Sequence, residues 1–314
     1  FHPHPATRDP LWSRGLGDVY KRQVKMIIDS HCHAWDYWPY QDSNSHEPSQ
    51  IPVPSPEIWG NVDQLIYELN NNNIDKATIV SAQIWHNPDN NNYISQSVKK
   101  YSDKLYQFAD VDSNWSSTYH KEGAAERLHK ISETFNIIGF THYLSEEDDG
   151  NWLYSEPGLR FFNVARDKGM IASIAGSPKH QNSIRKVADI FPEVPILCHH
   201  MSGLNVNNSK ELISNVMESS EYNNIYLKFS GYNYVLGANQ RWNFPYDDAM
   251  WIYKEAYQNF GSRMVWGSDF PVVKFSSTYK QALETLRTYC HFISKEDKKM
   301  IFGENMYNLI NKLT

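Results

Sequence analysis

Two hydrophobic periods alternate along the chain. Short, nearly continuous apolar runs rich in β-branched and aromatic residues occupy 26–31, 76–82, 105–111, 137–142, 170–175, 195–200, 225–230 and 264–268. Such runs suit parallel strands covered on both faces. Between them, apolar residues recur at helical spacing over 62–70, 93–101, 119–134, 158–168, 182–191, 209–220, 247–260 and 276–290. Alternation of this kind predicts a parallel α/β sheet. Eight repeats without a Gly-rich phosphate-binding turn favour a closed (β/α)8 TIM barrel over a doubly wound sheet. A helical pair over 295–302 and 304–312 is expected to cap the outside of the barrel. The expected organisation is a single barrel domain over 26–314. Residues 1–25 carry no apolar periodicity and no signal-peptide core, and read as a non-native or disordered extension.

Two segments interrupt the rhythm. Residues 34–60, after the first run, carry Trp35, Tyr37, Trp38, Tyr40 and Trp59; residues 231–245, after the seventh, carry Tyr232, Tyr234, Arg241 and Trp242. In a barrel both lie at the C-terminal end of the strands, where active sites form. Long loops of this sort line pockets or are disordered, and the aromatic density favours the pocket.

Composition narrows the partners. A net charge of −6 with scattered basic residues argues against nucleic acid. No apolar stretch reaches the ~18 residues of a membrane span. Three widely spaced cysteines, Cys32, Cys198 and Cys290, form no disulfide framework and suit buried thiols in a reducing, cytoplasmic setting. The expected partner is a small-molecule substrate; a homo-oligomer is compatible with the composition.

The candidate chemistry stands at the run ends. The first ends in His31-Cys32-His33, whose imidazoles at i and i+2 share one face while Cys32 points away. The sixth ends in Cys198-His199-His200, where alternation assigns His200 to the mouth and His199 to the helix layer, although a slip of one residue exchanges them. The eighth ends in Gly267-Ser268-Asp269-Phe270-Pro271. A barrel closes the eighth run onto the first, so Asp269 is expected beside the His-x-His pair. Each site residue has a structural alternative, such as a helix N-cap for Asp269 or a core position for His200.

These motifs, with Ile138-Gly139-Phe140, Tyr226-Leu227-Lys228-Phe229-Ser230-Gly231 and Phe302-Gly303-Glu304-Asn305, resemble the amidohydrolase-related (amidohydrolase 2) family. The lactonase-like branch, which includes 2-pyrone-4,6-dicarboxylate hydrolase and L-fuconolactonase-type enzymes, is the most similar. The resemblance implies catalysis by Asp269 with His31, His33 and His200. The implied reaction is opening of a lactone or related cyclic ester of a carboxylated sugar or aromatic catabolite by Asp-activated water. The alternative it carries is a metal-dependent decarboxylase or other lyase acting on a small carboxylic acid. Metal-dependent relatives add a lysine or glutamate on the fourth strand, or a histidine on the fifth; here those runs read Gly139-Phe140-Thr141-His142 and Ala172-Ser173-Ile174-Ala175. No cofactor is therefore expected, the alternative being a single divalent ion such as zinc on His31, His33 and Asp269. Thr141 stands where an arginine that grips carboxylates is common, which puts the pyrone dicarboxylate in doubt. Arg241, Trp35, Trp38, Trp85 and His142 are the candidate substrate contacts. Lys228, in mid-strand, reads as structural, buried against a carboxylate.

Overall fold

The computed structural model describes residues 26–39, 55–237 and 244–312. The expectations for residues 1–25 and for Tyr40, Arg241 and Trp242 lie outside the described residues. Eight strands form one parallel sheet in sequence order: β1 (Ile28–Cys32), β2 (Lys76–Val80), β3 (Leu105–Asp110), β4 (Gly139–Tyr143), β5 (Ile171–Ala175), β6 (Ile196–Cys198), β7 (Ile225–Phe229) and β8 (Met264–Trp266). The circle closes just past β8, where the Asp269 N–H donates to the His31 carbonyl (2.8 Å) and the His33 N–H to the Phe270 carbonyl (2.6 Å). Gly267 permits this approach, because a Cβ there would stand 2.5 Å from the His31 Cβ. The architecture is a (β/α)8 TIM barrel of one domain.

The outer helices follow the sequence periodicity. They are α1 (Val62–Asn71), α2 (Asn90–Lys100), α3 (Ala124–Thr134), α4 (Glu156–Asp167), α5 (Gln181–Ile190), α6 (Lys210–Met217), α7 (Met250–Phe260) and α8 (Tyr279–Glu284). Asn61, Ser155, Ser209 and Thr278 cap their N-termini by accepting a backbone N–H from the first turn, as short polar side chains do. The third helix starts five residues later than its periodicity suggests. Gly123 at φ +84° and His120 at φ +54° put left-handed backbone where a continuous helix would need right-handed turns.

Inward-facing Ile28, Val80, Phe108, Ile171, Leu197 and Val265 form an apolar floor. The last helix, α10 (Asn305–Asn311), which follows α9 (Lys295–Lys299), adds Met306, Leu309 and Ile310 to this cluster. Of the C-terminal pair, α10 therefore seals the barrel's lower end instead of lying on its outside, because its apolar side chains reach the floor, while α9 buries no residue. Each such burial contributes about 1.5–3 kcal/mol, a reserve against the polar layer above. No helix among the described residues is long and apolar enough to cross a membrane.

Strict alternation cannot put both Ile28 and the two histidines inside. The β1–β2 register resolves the conflict: Asp29 pairs with Ala77 and Cys32 with Ile79, so β1 carries one extra residue. This bulge reverses the side-chain parity after Asp29. Asp29 points outward to Tyr279, His31 and His33 point into the mouth, and Cys32 returns to the outer apolar layer.

Candidate active site

Four side chains meet over the floor at the C-terminal end of the barrel. The Asp269 Oδ1 atom lies 3.5 Å from His31 Nε2, 3.7 Å from His33 Nε2 and 3.8 Å from His200 Nε2. These separations exceed hydrogen-bond length. Both Asp269 oxygens and His31 Nε2 are buried with no hydrogen-bond partner among the described residues, which is unusual for polar atoms unless a ligand or water completes them. The N-cap alternative for Asp269 fails here, since its carboxylate accepts no backbone N–H. Its backbone is held at φ +61°, a left-handed conformation of the sort that concentrates at functional sites.

Each histidine is anchored on its far side. His33 Nδ1 is 2.7 Å from the Val80 carbonyl, and its ring stacks on Trp35 at 4.8 Å. His200 Nδ1 is 3.0 Å from the Ser230 hydroxyl. His31 Nδ1 is 3.0 Å from Lys228 Nζ, which also donates to the Ser173 hydroxyl at 2.7 Å. Ser173 in turn lies 2.6 Å from His199 Nε2. Lys228 is thus fully buried, but its partners are an imidazole and a hydroxyl instead of the expected carboxylate.

Two expectations need correction. His199 does not enter the helix layer. Leu197 faces the floor, so alternation carries His199 inward as well, and its ring lies 4.5 Å from that of His31. His200 also faces the mouth, because His200, Met201 and Ser202 adopt φ of 45°, 54° and 59°; this left-handed turn breaks the strand's alternation. His142 is the second correction. Gly139, Thr141 and Tyr143 share the inward parity, and His142 faces the helices, stacked on Trp152 and 3.2 Å from His120 Nε2. Its outward register turns its side chain away from the mouth.

The remaining candidates divide. Trp35 forms the wall behind His33, and Trp38 packs behind Trp35 at 4.8 Å. Trp85 is 73 % exposed and meets His86 edge-on at the rim. A cavity of about 420 Å3 opens beside His199 and His200. Its walls include Asn114, Tyr143, Glu146, Ser177 and Tyr234, none of which was singled out in sequence as a pocket residue except through the aromatic loop carrying Tyr234. The inward parity of the fourth and fifth strands was the available signal for Tyr143 and Ser173. Lysine and arginine are absent from the described lining residues.

Burial dominates the electrostatics. It pushes the Asp269 carboxyl well above the usual carboxylate range, helped by Asp29 and opposed by Lys228. Burial and then the Lys228 charge hold His31 well below the ordinary imidazole range, and burial brings His33 down to about 4. Burial lowers the Lys228 amine to about 7. Burial thus favours the neutral form of His31, His33 and His200, in which one ring nitrogen donates and the other accepts.

His31, His33 and Asp269 offer ligand atoms within 4.8 Å of one another, as do His31, His199 and His200. By distance and by the orphaned atoms, the donor set suits a divalent ion of the zinc type. The expectation of a cofactor-free site gains no support from this geometry.

Gly231 packs closely against His200. It sits at φ +67°, and a Cβ there would come 2.5 Å from His200 Nδ1. Gly231→Ala is expected to displace His200 and to destabilise the fold by ~1–3 kcal/mol, with kcat falling ~10–100-fold. Thermal melting and steady-state kinetics check this; unchanged kcat would show that His200 does not need its position.

Comparison with known proteins agrees with the geometry. The amidohydrolase family model (Amidohydro_2) matches residues 28–309. No curated protein matches significantly. Among solved structures, an amidohydrolase from Burkholderia multivorans with bound zinc is similar at TM-score 0.71 and 14 % identity, over 91 % of this chain and 99 % of that one. A probable 2-pyrone-4,6-dicarboxylic acid hydrolase from Acinetobacter baumannii with citric acid bound is similar at TM-score 0.67 and 17 % identity, over 91 % and 99 %. A 5-carboxyvanillate decarboxylase from Sphingomonas paucimobilis is similar at TM-score 0.58 and 12 % identity, over 92 % and 99 %. At these identities the structures share a fold, while the family match spans nearly the whole barrel: the chain belongs to the amidohydrolase family.

Proposed function

We propose that the protein is a hydrolase that opens a small hydroxylated lactone, with Asp269 activating the attacking water. One observation carries this reading: three imidazole Nε2 atoms lie within 3.5–3.8 Å of one buried carboxylate oxygen that has no hydrogen-bond partner among the described residues, and one of the three, His200, also lines the neighbouring cavity. Lactone hydrolysis needs a base for water, donors for the developing oxyanion and a proton for the leaving alkoxide. Asp269 takes a proton from water as its oxygen attacks the carbonyl carbon. Imidazole N–H groups stabilise the tetrahedral oxyanion. The ring C–O bond then breaks, and Asp269 returns the proton to the departing alkoxide, giving a hydroxy acid. The raised carboxyl of Asp269 suits both halves of this cycle.

The substrate reading rests on the cavity walls. Tyr143, Tyr234, Asn114 and Ser177 offer neutral hydrogen-bonding groups, and Glu146 adds a negative one. This lining favours a neutral hydroxylated ring over a dicarboxylate, which would need cationic partners. Neutral sugar lactones are expected to exceed pyrone dicarboxylate in kcat/KM by ~100-fold or more; the reverse order in a substrate panel would overturn the substrate reading.

The residues that would hold a divalent ion are His31, His33 and Asp269. Such an ion would supply Lewis-acid polarisation and a more acidic water. The proposed proton cycle is complete on Asp269 alone. Dialysis against a chelator is therefore expected to leave the lactone-opening activity in place. Loss of activity that zinc restores would sink the metal-free form of the proposal.

A further inference from the structure

The two histidines of the His31-Cys32-His33 motif differ in what lies behind them. His33 Nδ1 faces the Val80 carbonyl at 2.7 Å. A carbonyl only accepts, so Nδ1 carries the hydrogen and Nε2 presents its lone pair to the mouth. His31 Nδ1 instead faces the Lys228 amine at 3.0 Å. That amine also donates to Ser173, whose hydroxyl hydrogen is left to serve His199 Nε2. On the opposite side, His31 Nε2 looks at the Asp269 carboxylate from 3.5 Å. A donor-rich group beneath Nδ1 and an acceptor beyond Nε2 favour the same tautomer.

We propose that Lys228 is a positioning residue that fixes His31 with its hydrogen on Nε2, so that the paired histidines carry opposite tautomers, His31 a donor and His33 an acceptor. The assignment rests on the proposed reaction in the mouth for its use. His31 then donates to the carbonyl oxygen as charge builds there, while His33 accepts from the water that Asp269 activates. Lys228 acts through the ring it touches, without contact with the reacting atoms.

The test is the 15N spectrum of histidine-labelled protein as purified, without substrate, with His31 and His33 assigned by single substitution. The expected result is pyrrole-type Nε2 with pyridine-type Nδ1 for His31, and the reverse for His33. In Lys228→Met, His31 is expected to shift towards Nδ1–H while His33 stays unchanged. Hydrogen on Nδ1 in both rings of the parent protein would overturn the proposal, as would a His31 spectrum unaltered by Lys228→Met. Should that variant fail to fold, the parent spectrum alone decides. The tautomers are read without turnover, so this result stands apart from whether any lactone is hydrolysed.

Discussion

Asp269→Asn is expected to lower kcat by about 10³-fold, near the middle of the range for a general acid–base group and equal to about 4 kcal/mol of barrier. The amide has nearly the same shape but cannot take a proton from water. The fold has little to lose, because neither carboxylate oxygen has a hydrogen-bond partner among the described residues. The backbone bonds at this position, Asp269 N–H to His31 and Val273 N–H to the Asp269 carbonyl, do not involve the side chain. The melting temperature is therefore expected to stay close to that of the parent, and KM to change little. Steady-state kinetics together with calorimetry separate the two effects. A variant that turns over as fast as the parent would remove Asp269 from its role; one that unfolds would reveal a structural duty absent from the geometry.

The second large effect concerns a carboxylate outside the mouth. Asp29 is fully buried and accepts from the Ser268 N–H (2.9 Å), the Ser268 hydroxyl (2.6 Å), the Tyr279 hydroxyl (2.8 Å) and the His31 N–H (3.2 Å). It stitches the bulge of β1 to the chain just past β8, between the positions that present His31 and Asp269. Removing it strands several donors in a place water does not reach. Asp29→Ala is expected to destabilise the protein by about 3–5 kcal/mol, since each orphaned buried group costs ~1–3 kcal/mol and some relaxation is available. Tyr279→Phe removes only one of the four bonds and should cost about 1 kcal/mol. Denaturant unfolding of both variants checks the ratio; equal, small losses would show that the stitch is not what closes the barrel.

The parts of the fold that were legible in sequence are those set by local pattern. Eight apolar runs separated by helical periodicity gave the barrel, and barrel closure brought Asp269 to the His-x-His pair. What failed was parity wherever the backbone departs from a regular strand. The extra residue in β1 depends on pairing with β2, which no single run contains. The left-handed turn through His200, Met201 and Ser202 brings two consecutive histidines to one side, and alternation allows only one of them. His142 lost its place because the inward register of β4 falls on Thr141 and Tyr143. Lys228 looked structural in isolation; its meaning comes from His31, 197 positions earlier in the chain. Pocket residues such as Asn114 and Glu146 lie on loops, where no periodicity marks them.

The central claim is that the mouth adds water to a lactone through Asp269, and the gases and protons released distinguish it from the decarboxylase chemistry also found in this fold. The most direct measurement is to supply the purified protein with neutral hydroxylated lactones and, separately, with carboxylated aromatic acids, while recording acid release and carbon dioxide. The account predicts stoichiometric acid release from a lactone, abolished in Asp269→Asn, and no carbon dioxide from the aromatic acids. Carbon dioxide evolution with no lactone opened would contradict it.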